Sequence, residues 1–529
     1  MTAVNIHSGA PAACNQDWDA INWHDIEQQV RRLQMRIAKA FREKKYGKAK
    51  ALQWLLTHSH HAKLFAVKRV VTNKGAKTPG VDKVIWTTPK QKMRAALTLR
   101  RRGYQPLPLR RIYIPKKHGG KLRPLSIPVM KCRAMQALHL LALEPIAEIK
   151  ADRNSYGFRP LRSAADAIAQ CFNSLSRQTA AAYILEADIK SCFDKISHQW
   201  LLENIPTDKE ILKKWLEAGY IEKGEKFSTM LGTPQGGLIS PTLLTITLSG
   251  LELAVREAVS KRKHKVNFII YADDFVITGV TKEILEEKVK PIVEKFLHER
   301  GLSLSKEKTK ITHINEGFDF LGFNIRKFGK KLIITPSKIS VKSLLSGIRK
   351  TIKLNKTAKQ ENLTLQLNPK IRGWTNYFHH VCAKKTFSYI DHHIFKALWR
   401  WAKRRHPNKN MAWIKKRYFQ STRTRDWIFA NNVKQSDGEI TTAKLFDASS
   451  VQIKRHVKIK ADATPYDPTY FVYLRKRTGT KYGLEQLIGS KAEWSHKTAF
   501  GRLERSAGKP ARCVLVGATP GNGSGLPNL

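Results

Sequence analysis

The sequence predicts an α+β protein, with a centre of alternating helices and strands between helical regions on either side. Three observations carry this. From about residue 23 to 72, Ile26, Val30, Leu33 and Ile37 recur on one helical face, with Arg31, Arg32, Arg36 and Lys39 around it. From about 129 to 335, helical and strand signals alternate. Beyond Pro336 the periodicity is helical again, and residues 336–429 hold 22 Lys or Arg against 3 acidic residues. The 529 residues, 42% of them hydrophobic, suffice for a large core and several domains. The expected divisions are a helical extension over 1–75, the α+β centre over 76–335, a helical domain over 336–429, and a basic region with a flexible tail over 430–529.

Charge is the next signal. The chain carries 96 Lys and Arg against 42 Asp and Glu, a net +54. Such an excess destabilises a compact fold by self-repulsion unless a polyanion neutralises it. Nucleic acid fits that need, through release of counterions from phosphates. No membrane partner is expected, because no stretch approaches the ~18 apolar residues of a span. Residues Met1 to Ile6 lack the charged start and apolar core of a secretory signal, and Asp17 and Asp19 weigh against a transit peptide. The cysteines at 14, 132, 171, 192, 382 and 513 show no paired spacing. They read as thiols of a reducing compartment, with neither a disulfide framework nor a zinc site. A bacterial, cytoplasmic, nucleic-acid-associated protein is expected.

Taken in order, the N-terminal helices end in a turn at Lys77-Thr78-Pro79-Gly80. The stretch from Arg110 to Leu125 reads as two short strands around His118-Gly119-Gly120. In the basic helical region, aromatics interleave the charge, as in Trp399-Arg400-Trp401-Ala402-Lys403-Arg404-Arg405. So lopsided a ratio points to a nucleic-acid surface more than to a solvated face. Trp374, Tyr377 and Phe378 either stack on bases or fill a helical core. The histidines at 379, 380, 392 and 393, with Cys382, do not make a zinc site, since adjacent side chains on a helix diverge by about 100°. The Gly- and Pro-rich stretch from Gly517 to Gly523 is expected to be mobile.

The chemistry concentrates at Tyr271-Ala272-Asp273-Asp274, between the apolar runs from Val266 to Ile270 and from Phe275 to Thr278. Adjacent carboxylates at the tip of a hydrophobic hairpin are costly to desolvate without a partner. Successive strand residues point to opposite faces, so both can serve one site only if the chain turns there. A divalent cation is the natural partner, and such a site needs a further carboxylate from elsewhere. Asp188 is the candidate, because the apolar strand Tyr183-Ile184-Leu185-Glu186-Ala187 runs straight into it.

These residues, in this order, resemble the palm of a reverse transcriptase. Asp188 fits the first metal-binding motif and Tyr271-Ala272-Asp273-Asp274 the second. Between them lies Gly232-Thr233-Pro234-Gln235-Gly236-Gly237-Leu238-Ile239-Ser240-Pro241, where such enzymes place a nucleotide-pocket loop. More narrowly, the chain resembles group II intron-encoded reverse transcriptases and maturases. Thr78-Pro79-Gly80-Val81-Asp82, Leu122-Arg123-Pro124-Leu125-Ser126-Ile127-Pro128, Asn154-Ser155-Tyr156-Gly157-Phe158-Arg159-Pro160 and Phe318-Asp319-Phe320-Leu321-Gly322-Phe323 follow in family order. Asn368-Pro369-Lys370-Ile371-Arg372-Gly373-Trp374-Thr375-Asn376-Tyr377-Phe378 resembles the thumb, or maturase, motif.

The resemblance implies a right-hand polymerase fold: an N-terminal helical extension, fingers and palm, a helical thumb, and a basic DNA-binding region. It implies RNA-directed DNA polymerisation, assistance to splicing of the intron RNA, and intron mobility by target-primed reverse transcription. Asp188, Asp273 and Asp274 would hold two Mg²⁺ ions, with Mn²⁺ a possible substitute. Phe193 would sit under the nucleotide sugar; Gln235 and Gly236 would line the pocket. Arg111, Lys116 and Arg123 would clamp the triphosphate, and Lys308, in competition with Lys306 and Lys310, would donate a proton to pyrophosphate. Asp194 is expected to cap or brace the following helix. Arg372, Trp374, Lys403, Arg404, Arg405, Lys415, Lys416 and Arg417 are the expected RNA contacts. The implied partners are the intron RNA, an RNA template with its DNA primer, target DNA and deoxynucleoside triphosphates. Many relatives end in an HNH nuclease with paired cysteines; residues 430–529 hold only Cys513, His456 and His496 of the needed types, so no endonuclease is expected. Two other readings remain, an RNA-binding maturase with little polymerase activity and a reverse transcriptase of retron or phage-defence lineage.

Overall fold

The computed structural model describes residues 17–115, 122–423, 425–434 and 439–478. The N-terminal periodicity resolves into three helices, Trp23–Arg42, Tyr46–His58 and His60–Val71. Asn22 starts the first by accepting from the His24 backbone N–H at 3.2 Å, which satisfies one of the donors every helix start leaves over. All three pack against the helix Met130–Lys150, which is buried on nearly every side. Ile26, Val30 and Ile37 enter that core, as their spacing requires. Arg31 departs from the expectation of a solvated rim. It is buried, with its guanidinium over Phe471 and donating to Pro465 O at 3.3 Å.

The fingers hairpin pairs β1 (Leu109–Pro115) with β2 (Leu122–Ile127) antiparallel. After β3 (Tyr183–Asp188) come the short β4 (Tyr220–Glu222) and β5 (Glu225–Phe227), which complete a fingers sheet ordered β2-β1-β4-β5. The palm sheet joins β3 to β6 (Phe268–Tyr271), β7 (Asp274–Gly279) and β8 (Lys310–His313), in the order β6-β7-β3-β8 with every pairing antiparallel. Alternation divides its side chains between two cores. Leu185, Ala187, Phe275 and Ile277 face the core shared with the N-terminal helices. Ile184, Ile269 and Val276 face the core shared with the thumb. The sheet is buried on both faces, so its functional groups gather at one end.

A three-stranded sheet of β9 (Phe318–Phe320), β10 (Phe323–Phe328) and β11 (Lys331–Pro336) leads into the thumb helices Lys338–Leu354, Gln360–Phe378, Lys384–Arg405 and Met411–Tyr418. Then β12 (Phe419–Thr422), β13 (Arg425–Lys434) and β14 (Ile440–Lys444) form a third small sheet. The expected division at 429/430 falls inside β13, and that at 75/76 inside the 3₁₀ turn Lys74–Lys77. A shift in composition marks where charge changes and is blind to strand pairing.

Residues 445–478, assigned by charge to a DNA-binding region, run back as a strap over the palm and N-terminal helices. Its anchor is Asp166, fully buried at the start of the helix Ala164–Leu175. Its Oδ1 accepts from His456 Nε2 at 2.9 Å, from the Ile459 N–H at 2.8 Å and from Arg477 at 2.6 Å. Further along, Arg162 donates to Ala461 O at 2.8 Å, Tyr466 to Glu144 at 2.9 Å, and Arg42 pairs with Asp467 at 2.6 Å. Several of the strap's polar groups are thus engaged inside the protein. Residues 479–529, with the mobile-tail expectation, Cys513 and His496, lie outside the described residues.

Candidate active site

The tetrad folds as its sequence demands. Tyr271 pairs with Asp274, leaving Ala272 and Asp273 as a two-residue turn between β6 and β7. Ala272 has φ +60, the positive value that primed hairpin turns need at their first central residue. With a Cβ, that conformation costs about 1 kcal/mol, so something must hold it. The holder is the segment around Gly157. Tyr156 N–H donates to Ile270 O at 2.9 Å, Ile270 N–H donates to Asn154 O at 3.0 Å, and Ser155 bridges Ile270 in parallel. Asn154 is fixed in turn by Glu252, which accepts from its backbone N–H at 3.0 Å and its amide at 2.7 Å. Gly157 then lies so close that a Cβ there would fall 2.1 Å from Ala272 N. The sequence placed Gly157 in a motif but gave it no role; a glycine within that motif was the available signal.

Asp188 ends β3 directly opposite Asp274 in the β3–β7 register. Paired residues in antiparallel strands share a face, so the two carboxylates meet, and they stand within hydrogen-bonding reach of each other. The Ile189 N–H reaches Asp273 O at 3.4 Å, and the Ser305 N–H donates to Asp188 O at 2.8 Å. Desolvation, then repulsion from Asp188, raises the Asp273 carboxyl above its ordinary range. Desolvation, then repulsion from Asp273 and Asp188, raises Asp274 well above it. Asp274 is solvent-exposed, which weakens the desolvation part of that rise; the repulsion among close carboxylates is the part a cation would relieve.

Lys308 Nζ lies 2.5 Å from Asp188 Oδ2. Lys310 is engaged elsewhere, 3.2 Å from Glu186. Lys308 is therefore the lysine at the carboxylates. Among the described residues no three His, Cys, Asp or Glu side chains form a ready-made cage around one ion. Hard carboxylate oxygens that repel one another, with an ammonium already drawn to them, nevertheless fit Mg²⁺, which binds through few carboxylates plus water and substrate phosphates.

The expected nucleotide residues divide. Phe193 is half-buried, its ring edge-on to Phe158 at 6.2 Å between centroids. Gln235 and Gly236 lie against β2, where Ser126 N–H donates to Gln235 O at 2.7 Å. Gly236 has φ +118, and a Cβ there would meet Ser126 O at 2.6 Å. Arg123 is near enough to the site to lower the Asp273 pKa, opposing the rise from desolvation. Arg111 does not join it. Arg111 pairs with Ser126 and Arg123 with Ile114, so alternation puts them on opposite faces of the hairpin. The Arg111 guanidinium instead stacks over Tyr220 at 3.8 Å. Arg110 instead shares Arg123's face, a distinction that pairing register makes and a run of two arginines hides. Lys116 lies outside the described residues. Asp194 belongs to the helical turn Cys192–Lys195 and accepts from Gln235.

The expected RNA contacts divide as well. Lys403, Arg404, Lys416, Arg417 and Arg372 are exposed. Lys415 is half-buried over Trp427, 4.6 Å from the ring centroid. Arg405 is engaged internally, donating to Lys356 O at 2.8 Å and Ala358 O at 3.1 Å above Trp401. Trp374 is not at the surface. It is 6% exposed, packs on Phe378, and donates from Nε1 to Ser340 Oγ at 3.2 Å. The core alternative holds for it, because its ring is enclosed between thumb helices, against Phe387 of the third and Ser340 of the first. A basic groove of about 630 Å³ opens between the first and third thumb helices, lined by Arg349, Lys353, Lys356, Arg400, Arg404 and His406 among others. His380 is half-buried beside His456, and the desolvation it suffers there pushes its imidazole down to about 3, so it stays neutral.

A palm sheet that brings three carboxylates and a lysine to one open end, beneath a fingers hairpin and beside a basic helical thumb, defines a nucleotidyl-transfer polymerase. Residues 114–325 match the reverse transcriptase (RNA-dependent DNA polymerase) family, residues 18–99 the N-terminal domain of reverse transcriptase, and residues 341–419 the group II intron maturase-specific domain. Protein YkfC of Escherichia coli is 35% identical over 305 residues, 49% of this chain and 79% of that protein. Group II intron-encoded protein LtrA of Lactococcus lactis is 29% identical over 362 residues, 56% of this chain and 60% of LtrA. A putative intron 1 protein of Saccharomyces cerevisiae is 29% identical over 325 residues, 51% of this chain and 37% of its own length. The chain thus spans less than two thirds of LtrA and of the yeast protein. It belongs to the group II intron reverse transcriptase and maturase family, whose polymerases depend on divalent metal ions. Among the described residues no helix is long and apolar enough to cross a membrane.

Proposed function

We propose that this chain copies RNA into DNA at the Asp188–Asp273–Asp274 site and binds the intron RNA through its thumb. The observation that carries the reading is the register that sets Asp188 against Asp274. The three aspartates would hold two Mg²⁺ ions, or Mn²⁺ in their place. When bound, the ions supply Lewis acidity for the primer 3′-hydroxyl and neutralise the departing pyrophosphate. The rest falls to the chain's own groups. Phe193 blocks the space a 2′-hydroxyl would need and so selects deoxynucleotides. Gly236 lets backbone approach the nucleotide, and Arg123 holds its phosphates. Lys308 leaves Asp188 as substrate arrives and is then placed to protonate pyrophosphate. No covalent nucleophile is required, since phosphoryl transfer rests on positioning and charge.

The exposed cations Arg372, Lys403, Arg404, Lys416 and Arg417 would screen phosphate repulsion in the folded intron, aiding splicing that the RNA itself catalyses. Target DNA would enter as the primer for mobility, nicked or replicating strands supplying the 3′ end in the bacterial cytoplasm. The deciding experiment is primer extension on an RNA template. cDNA should appear with Mg²⁺, vanish with chelator, and vanish in D273N while RNA binding persists. RNA binding without any cDNA would favour the maturase-only reading.

A further inference from the structure

We infer that Asp194 is a positioning residue of the nucleotide pocket, fixing the side-chain amide of Gln235. Gln235 Nε2 donates to both carboxylate oxygens of Asp194, at 3.1 and 3.0 Å. An ionised carboxylate only accepts hydrogen bonds, so the amide nitrogen must face it and the amide oxygen must point away. Asp194 therefore decides which end of the amide is turned to the pocket. An alanine in its place leaves that choice open.

The backbone around this pair is already locked. Thr233 N–H donates to Phe193 O at 2.6 Å, and Gly232 N–H to Ile196 O at 2.8 Å. A Cβ on Gly232, which has φ +81, would meet Phe193 O and Asp194 C at 2.5 Å. On the other side the Gln235 carbonyl is held by Ser126 of β2. The loop thus bridges the fingers strand and the turn after Asp188. Within that turn, consecutive residues address the pocket: Phe193 with its ring and Asp194 through Gln235. Asp194 is solvent-exposed, and a hydrogen bond of that kind adds little to folding. Its consequence lies in orientation.

On the polymerase reading above, the test is single-nucleotide incorporation by the full chain on an RNA template with a DNA primer, comparing wild type with D194A, D194E, Q235A and D194A/Q235A. D194A should raise KM for the deoxynucleotide about tenfold, the worth of one hydrogen bond to a charged group, with kcat little changed. D194E should recover most of the loss, and the double variant should be no worse than Q235A. Melting temperature and template–primer affinity should stay at wild-type values. D194N, neutral and of the same shape, carries the same comparison if D194A fails to fold. An unchanged KM, or D194A and Q235A losses that multiply in the double variant, would overturn the inference. A wild-type chain that extends no primer would overturn the polymerase reading itself and this inference with it.

Discussion

Replacing Gly157 with alanine tests whether the catalytic turn is held by close packing. The new Cβ would lie 2.1 Å from Ala272 N, 2.8 Å from Ala272 Cα and 2.9 Å from the Tyr271 carbonyl carbon. All three are backbone atoms of the turn that carries Asp273, so no side chain can swing aside. The closest contact must open by 0.9 Å to reach even the 3.0 Å that real Cβ atoms essentially never breach. The Asn154–Tyr156 ladder to Ile270 and the Glu252 clamp resist movement on one side, and the β3–β7 register on the other. A misplacement of about 1 Å at reacting groups costs on the order of 10²-fold in rate, or about 2.7 kcal/mol of barrier. Overpacking of this kind also costs about 1–3 kcal/mol of stability. Steady-state primer extension by G157A, alongside a melting curve and RNA binding, gives the answer. The expected result is a hundredfold fall in kcat/KM, a modestly lower melting temperature and unchanged RNA affinity. Wild-type kcat/KM in a folded G157A would refute the claim that this contact sets the turn.

Without metal, the raised Asp273 and Asp274 carboxyls favour the protonated folded state. Their contribution is present at acid pH and lost as pH rises through the raised folded values. In chelator the wild type should melt lower as pH climbs towards neutrality, and D274N should flatten that slope; a wild-type curve without slope would contradict it. At Asp166, burial would raise the carboxyl, but His456, Arg477 and the Ile459 N–H hold it down to about 2 from 3.8. That stability is present above the ordinary carboxylate value and lost as pH falls through about 2. D166N should therefore lose about 2–4 kcal/mol by urea unfolding at neutral pH and loosen the strap to protease; unaltered cleavage of residues 445–478 would count against the anchor. W374A should cost about 3–5 kcal/mol of stability as a core truncation, with RNA affinity of the folded fraction preserved. Neutralising Lys403, Arg404, Lys416 and Arg417 should flatten the salt dependence of RNA binding without changing the melting temperature, and an unchanged slope would assign those side chains to solvent.

The sequence alone determined the class of fold and marked out the three aspartates as the candidate site. Apolar runs on both sides of a turn-forming tetrad can pair only as a hairpin. A strand that ends in Asp188 can serve that hairpin only by lying beside it, and local pattern suffices for both. The charge imbalance, likewise a property of composition, already required a polyanion. What depends on register or on contacts across long separations needed the tertiary structure. Arg111 and Arg123 look equivalent in the chain, and β1–β2 pairing turned them to opposite faces. Lys306, Lys308 and Lys310 were interchangeable until β8 paired with β3, which carried Lys310 to Glu186 and left Lys308 at Asp188. Trp374 could face RNA or core until the neighbouring thumb helices closed over it with Ser340 and Phe387. Gly157 and Ala272 lie far apart in sequence, as do Asp166 and Arg477. Periodicity reports which side of an element is apolar, and only folding decides what stands on that side.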